Sequence, residues 1–208
     1  MAEILLSTAY LPNIQYVRAV SQNKTVVVEQ YENFLKQSFR NRCTILSANG
    51  IMDLSIPIVK GCSKHLIKDT KICYNQHWQS QHWHAIVSAY NSSPYFEYFK
   101  DDFEPFFLKK YDYLLDFNTE INTLIFKLLK IKTQISLTED YIREENPDYI
   151  DLRNQIHPKK AQTIKQNYYD ETPYPQVFDS IYGFTPNLSI IDMIFNIGSD
   201  AEELIKSL

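Results

Sequence analysis

The first 75 residues alternate short apolar runs with polar segments, which is typical of strands joined by one early helix. Residues 3–8 (EILLST) and 25–30 (TVVVEQ) are rich in aliphatic and β-branched side chains, so we expect two buried strands. Between them, Ile14, Val17 and Val20 share one face of a helix over residues 12–20. The order strand, helix, strand predicts a parallel β-α-β unit at the start of the chain.

A β-hairpin is predicted where Asn49-Gly50 separates the apolar runs CTILSA and IMDLSIPIV. Asn-Gly between two such runs is a strong hairpin signal, because both residues tolerate the positive φ that a tight turn requires. We therefore expect positive φ at both positions. Residues 68–74 (KDTKICY) predict one more strand.

The middle of the chain, residues 76–131, has helical spacing of its apolar residues. Three helices are predicted, over residues 77–90, 95–111 and 117–131, with Pro105 kinking or splitting the second. The second segment is rich in aromatic residues on one face, which serve either as core or as a stacking surface for sugars or bases. Residues 133–137 alternate and are predicted to return to the sheet.

The last third of the chain changes character twice. Residues 138–183 contain four prolines and few aliphatic residues, which predicts an extended loop or lid with short helical turns. Within residues 184–208, a capping pattern at Ser189 and a stop at Gly198 predict a C-terminal helix. The fold class that follows is α/β, a single domain over residues 1–208 with a mixed sheet, the hairpin and a helical half.

Composition excludes several classes of protein. The chain has 208 residues and a mass of 24.5 kDa, and its four glycines are spaced in a way that excludes a Walker A loop and a G-x-G-x-x-G fingerprint. No apolar run is long enough for a transmembrane helix, and the first residues lack the pattern of a signal peptide. Three cysteines suit reduced thiols, so we expect a cytoplasmic protein. A pI of 5.7 argues against a nucleic-acid partner.

A basic segment lies within this acidic chain. Six basic residues and one acidic residue, Asp53, lie between Asn33 and Lys68, although the whole chain has a net charge of −4. The six are Lys36, Arg40, Arg42, Lys60, Lys64 and Lys68. The segment begins just after a predicted parallel strand, where ligand sites collect in α/β folds, so it predicts a site for an anionic small molecule. The alternative is a solvated face in which Arg40 and Arg42 lie on an edge strand.

Histidines and cysteines cluster between residues 62 and 84, which raises the question of zinc. The cluster contains no C-x-x-C, H-E-x-x-H or H-x-x-x-H spacing, and His82 and His84 diverge on a helix, so we predict no metal and no other cofactor. His82, beside Trp83, instead suggests a pocket histidine that moves protons near neutral pH. The alternative is a core position in which the histidine is held by hydrogen bonds.

Three stretches of the chain resemble one known family. They are residues 7–16 (STAYLPNIQY), 28–42 (VEQYENFLKQSFRNR) and 174–196, which contains YPQ and GFTPNLSIID. In order and spacing they are similar to the WbqC-like family over almost the whole chain. The positions that match its signature are Tyr10, Pro12, Arg40, Asn41, Arg42, Trp83, Tyr90, Pro94, Tyr95, Phe184, Pro186, Ser189, Asp192 and Asn196. The chain departs from longer members in residues 138–183, and it has Thr8-Ala9 where many have Gln-Pro.

The resemblance implies a bacterial protein associated with surface-polysaccharide biosynthesis, where some members are assigned as glycine transferases acting on amino sugars. We therefore expect acyl or aminoacyl transfer from an anionic donor or sugar nucleotide. Glu29 or His82 would accept the proton of the attacking amine. The expected substrate-binding residues are Tyr10, Lys36, Arg40, Asn41, Arg42, Trp83 and Tyr90. The alternative is a non-enzymatic ligand-binding or accessory protein of the same pathway, with a protein partner.

Overall fold

The structure is a computed structural model that describes residues 2–59, 65–158, 168–169 and 171–206. Lys60 and Lys64 of the basic segment, and Cys62 at the start of the histidine and cysteine cluster, lie outside these residues. The fold class is confirmed as α/β, with parallel strands, an antiparallel hairpin and helices. No helix of the described ranges combines the length and the apolar character that a membrane span requires.

A four-stranded parallel sheet forms the frame of the first half. Its strands are β1 (Glu3–Ser7), β2 (Thr25–Glu29), β5 (Gln134–Leu137) and β6 (Tyr149–Asp151), in the spatial order β5-β2-β1-β6. Helix α1 (Ile14–Ser21) connects β1 to β2, as the apolar pattern predicted, and the side chain of Asn13 caps its first turn. The predicted parallel β-α-β start is therefore present.

The hairpin forms a second, separate sheet. Strands β3 (Arg42–Ser47) and β4 (Gly50–Ser55) are antiparallel, and Ser47 pairs with Gly50, so Ala48 and Asn49 make the turn. Positive φ occurs at Gly50 (+96°) but not at Asn49, so the expectation of two such residues is wrong. Glycine suits this conformation because it has no Cβ to clash with the backbone. The parallel strands and the antiparallel hairpin thus lie in two separate sheets and not in one mixed sheet.

The helical half comprises α2 (Trp78–Tyr90), α3 (Phe96–Leu108) and α4 (Leu114–Leu128), followed much later by α5 (Asp179–Tyr182), α6 (Ile190–Ile197) and α7 (Asp200–Lys206). Helix α3 continues through Pro105 as one helix, so the predicted split does not occur. The predicted C-terminal helix is two helices, which Gly198 separates at φ +59°.

Two hydrophobic cores hold these elements together. The larger one gathers the buried faces of α2, α3, α4 and α6, so the aromatic segment of residues 95–111 serves mainly as core. The smaller one lies against the sheet, where Ile4, Leu6 and Val26 pack with Tyr16 and Val20 of α1. Full burial of such side chains contributes roughly 1.5–3 kcal/mol each, which makes this packing the main stabilising term of the fold.

One sequence prediction fails in the connecting regions, and another is incomplete. Residues 68–74 are not a strand; a short 3-10 helix, Ile67–Asp69, is followed by isolated bridges at Lys71 and Ile72. Residues 138–183 contain a short helical turn, α5, as predicted, but they also contain strand β6, which was not predicted. Strand β6 has three residues and pairs with β1 more than 140 positions away, so its stability comes from a partner that local sequence does not reveal.

Candidate ligand site at the carboxyl edge of the sheet

The strand order creates a topological switch point at β1. After β1 the chain continues through α1 to β2 on one side, whereas β6 arrives later on the other side. In open parallel sheets, ligands bind outside the carboxyl ends of the strands at such a point. The carboxyl ends of all four strands here carry buried polar residues: Ser7 and Thr8, Glu29, Thr138, and Arg153 just past β6.

Glu29 is the centre of one buried polar network at this edge. Its Oε1 accepts hydrogen bonds from the Thr138 hydroxyl and the Tyr31 backbone N–H, both at 2.8 Å. Its Oε2 accepts from the Ile142 backbone N–H at 2.8 Å and from Nη1 of Arg153 at 3.3 Å. Glu29 has no exposed surface, so its carboxylate is fully occupied by these four donors.

Arg153 connects this network to the end of β6. Its Nε and Nη2 bind the carboxylate of Asp151, and its Nη1 binds Glu29. The Arg153 side chain is 2% exposed, whereas that of Asp151 is 24% exposed. A buried guanidinium held by two carboxylates has a fixed position, because each hydrogen bond restricts its rotation.

Arg40 is the second buried arginine at the same edge. Its Nε donates to Oε1 of Glu32 at 2.7 Å, and its Nη2 donates to Oε2, which gives a bidentate ion pair. Within the described ranges, Nη1 of Arg40 makes no hydrogen bond. The pair lies near Tyr16, whose hydroxyl donates to the Ser7 carbonyl at 3.0 Å. Burial and the nearby Glu32 charge raise the pKa of Tyr16, so it stays neutral as a donor.

A narrow cleft of about 10 Å³, which has room for about one water molecule, lies between the two arginines. Its walls are the end of β1, the segment after β6 and the Arg40 region, with Ser7, Thr8, Tyr16, Arg40 and Arg153 as its polar members. The cleft thus coincides with the switch point. Hydroxyl and guanidinium donors together suit an anion such as a phosphate or a carboxylate.

Tyr10 and His82, both expected at the site, contact each other in the larger core instead. The Tyr10 hydroxyl lies 2.9 Å from Nδ1 of His82, and both residues are buried. Burial lowers the pKa of His82 to about 4, although a hydrogen bond to the Ser55 backbone opposes this shift. His82 is therefore neutral at pH 7. It lines none of the clefts described here, and no hydrogen bond joins it to Glu29.

Tyr90 takes part in a separate buried cluster around Asp192. The carboxylate of Asp192 accepts hydrogen bonds from the Tyr90 hydroxyl at 3.0 Å, from the Tyr174 hydroxyl at 2.8 Å and from Nε2 of Gln176 at 3.1 Å. Burial raises the pKa of Asp192, although these three donors oppose the shift. The cluster ties α2 and the segment around residue 175 to the first turn of α6.

The remaining expected site residues are dispersed. Asn41 donates to the Ile56 carbonyl at 2.7 Å, and Arg42 forms an exposed pair with Asp53 on the hairpin. Lys36 is exposed on the loop between β2 and β3. Trp83 stacks on Phe107 and donates to Glu104. The structure thus brings Glu29 and Arg40 to the carboxyl edge and places the others elsewhere. Among the described residues, no group of three or more His, Cys, Asp or Glu side chains is arranged for a metal ion.

Sequence reasoning missed Glu32, Thr138, Asp151 and Arg153. Glu32 lies just before the basic segment, and its carboxylate pairs with Arg40. The other three lie within or beside the region predicted as loop. The apolar pair Tyr149-Ile150 before Asp151 was the available signal, but it follows Pro147 closely and is too short to identify a strand.

Comparisons with known proteins agree on one relationship. The chain is similar to a protein of Mycobacterium tuberculosis named "Uncharacterized protein Rv1507c", with 22% identity over 97% of this chain and 96% of that protein. No solved structure matches the chain. The sequence model described as "WbqC-like protein family" matches residues 8–163 and 152–204, which together cover almost the whole chain from the residue after β1. The chain therefore belongs to the WbqC-like protein family.

Proposed function

We propose that this protein binds the anionic group of a small molecule at the cleft between Arg40 and Arg153, which widens to admit it. The molecule is a sugar nucleotide or an aminoacyl donor, and the binding serves acyl or aminoacyl (glycine-type) transfer to an amino sugar in bacterial surface-polysaccharide biosynthesis. The pathway is the one that the family resemblance implies. The geometry of the carboxyl edge supports the anion.

One observation carries this proposal: two buried arginines line a cleft at the topological switch point. Arg153 is immobilised by Glu29 and Asp151, and Arg40 is immobilised by Glu32, so carboxylates neutralise both guanidinium groups and their unused N–H donors are positioned before a ligand arrives. Nη1 of Arg40 and the hydroxyl of Thr8 are the donors that we assign to the ligand. Preorganised donors raise affinity because little side-chain entropy is lost on binding.

Glu29 has a positioning role in this proposal. Acyl transfer to an amine requires a group that accepts the amine proton, and the sequence suggested Glu29 or His82. All four hydrogen bonds of Glu29 come from the protein itself, and His82 is enclosed by Tyr10, Trp78 and Ser55. We therefore assign to Glu29 the orientation of Arg153. In the transfer, the amine nitrogen bonds to the acyl carbon, the bond between the acyl group and the leaving group breaks, and the amine proton departs with the anionic leaving group of the donor.

The same observation favours a second candidate, a non-enzymatic binding or accessory protein of the same pathway. If neither Glu29 nor His82 reaches a substrate, the chain can hold a ligand without converting it. The two candidates differ in turnover. A transferase forms an N-acylated amino sugar from a donor and an amino sugar, whereas an accessory protein binds the donor and forms no product.

The test uses isothermal titration of the full chain with sugar nucleotides, glycine, ATP and acyl-coenzyme A thioesters. Arg40→Lys retains a positive charge beside Glu32 but loses the planar set of N–H donors of the guanidinium. We therefore expect affinity for the preferred anion to fall about tenfold to a hundredfold, as for the loss of a charge-assisted hydrogen bond. The matched control is Arg42→Ala, an exposed arginine away from the cleft, which should leave affinity unchanged.

A thermal melt without ligand confirms that Arg40→Lys is folded. Absence of binding by every anion, or equal effects of the two arginine variants, contradicts the proposal. Mass spectrometry of the amino sugar after incubation with the bound donor then separates transferase from accessory protein.

A further inference from the structure

A second cavity lies on the other side of Thr8 and Tyr16. It has a volume of about 160 Å³ and lies between α4 and strands β2 and β5. Exposed Thr119, Thr123 and Ser136 form its rim, so it opens to solvent at the edge of the sheet. Its walls are apolar and consist of Val20, Val26, Val28, Phe126, Ile135 and Leu137.

The cavity contains one hydrogen-bond acceptor without a partner. Asn122 lines it and is 7% exposed, and its Nδ2 donates to the Ala9 carbonyl at 3.0 Å. That bond distinguishes the nitrogen of the amide from its oxygen, and Oδ1 is buried without a hydrogen bond. A buried acceptor without a hydrogen bond costs free energy. A ligand that donates a hydrogen bond to it therefore gains more binding free energy than from the same bond in water. The oxygen is covered in this structure, so a small rotation of the amide accompanies such a bond.

The cavity adjoins the anion cleft through shared residues. Thr8 and Tyr16 line both spaces, with the arginines on one side and the apolar walls on the other. A ligand with an anionic part and an apolar part would therefore find a matching environment for each. This arrangement suits an activated acyl donor, whose leaving group is anionic and whose acyl group is not.

We propose that this cavity is the subsite for the acyl group of the donor, an inference that rests on the proposed function. It takes an apolar acyl or aminoacyl group with an N–H donor that reaches Oδ1 of Asn122. An apolar cavity of about 150 Å³ holds one benzene molecule, so the group has about six non-hydrogen atoms. This subsite narrows the proposed function in one respect. A glycyl group has no side chain and would leave the apolar walls uncovered, so within acyl and aminoacyl transfer the cavity favours a group bulkier than glycine over glycine itself.

The test uses neutral probes, so that it does not depend on the anion cleft. Binding of isobutyramide to the full chain is measured by NMR titration, with methyl isobutyrate as a probe of similar size that lacks an N–H group. We expect isobutyramide to bind about threefold to tenfold more tightly, the ratio that one neutral hydrogen bond supplies. Thr123→Phe and Ser136→Phe place a ring at opposite rims and should each weaken binding at least tenfold.

Lys127→Phe adds a ring to an exposed position of α4 outside the cavity and should leave binding unchanged. Failure of isobutyramide to bind, or binding that both rim variants leave intact, overturns the subsite, whatever anions do. Equal affinity for the amide and the ester overturns the role of Asn122. If the amide binds at the rim-sensitive site and no anion binds near Arg40, the cavity stands as a site for apolar amides and the proposed function fails.

Discussion

Glu29→Gln tests whether the carboxyl edge of the sheet is held together by its buried network. The substitution keeps the size of the side chain and replaces one oxygen by an NH2 group. Oε1 and Oε2 of Glu29 each accept two hydrogen bonds, so in either orientation the amide NH2 faces a backbone N–H donor, that of Tyr31 or that of Ile142. One buried N–H group is then left without an acceptor, which costs about 1–3 kcal/mol.

The substitution also removes a negative charge beside Arg153. Removing one partner of a buried ion pair costs about 3–5 kcal/mol when the other is left uncompensated. Arg153 keeps Asp151, so the electrostatic part lies at or below the low end of that range. Together we expect a loss of about 3–5 kcal/mol in the free energy of unfolding, and a melting temperature lower by about 6–20 °C for a chain of this size.

The assay is urea unfolding at pH 7, followed by circular dichroism. Glu139→Gln is the matched control, because Glu139 is exposed close to the same loop and should change stability by less than about 0.5 kcal/mol. A double-mutant cycle with Arg153→Met measures the coupling within the pair. A loss below about 1 kcal/mol for Glu29→Gln, or an additive cycle, would refute the network as the anchor of this edge.

Three further predictions concern other parts of the molecule. Gly183→Ala introduces only backbone strain at φ +68° and should cost about 1–3 kcal/mol, whereas Gly198→Ala also drives a Cβ to 2.6 Å from the Tyr95 ring and should cost at least about 1 kcal/mol more by thermal unfolding. Burial lowers the pKa of His82 from 6.5 to about 4, so the folded state binds fewer protons than the unfolded one between these values. Stability should therefore fall by up to about 3 kcal/mol from pH 6.5 to pH 4, and His82→Gln should flatten this decline in denaturation measured against pH. Arg42→Ala removes an exposed ion pair and should cost less than about 1 kcal/mol in urea unfolding.

Local sequence was sufficient for the elements whose partners are near in the chain. Strands β1 and β2 with the intervening α1, the hairpin, and helices α2 and α4 follow from apolar spacing within windows of about ten residues. Strand β6 was missed because three residues carry too little periodicity, and because its pairing with β1 is a long-range contact. Residues 68–74 were mistaken for a strand, although they contain the end of the 3-10 helix Ile67–Asp69 and only isolated bridges at Lys71 and Ile72.

The candidate site was only partly predictable for a related reason. Glu29 and Arg40 stand out because they are polar residues close after an apolar strand, which is where the carboxyl edge must lie. Sequence does not say which opposite charge neutralises a buried one, because that choice depends on distances across the fold. The partners of these two residues, Arg153 and Glu32, were therefore invisible until the strands were placed.

The segment after β1, residues 8–11, is held in place by contacts from α4 and from the loop between β2 and β3. Asn118 of α4 binds the Thr8 hydroxyl and the Arg40 carbonyl, and Tyr10 joins the segment to the Phe39 carbonyl. Leu11 has φ +40°, a left-handed backbone conformation that a bulky residue adopts only when its surroundings impose it. Backbone strain of this kind persists where the surrounding contacts impose it, and it is common at functional sites. We infer that Asn118 and the backbone of Tyr10 hold this segment rigid between the anion cleft and the apolar cavity, and thereby fix the position of the Thr8 hydroxyl.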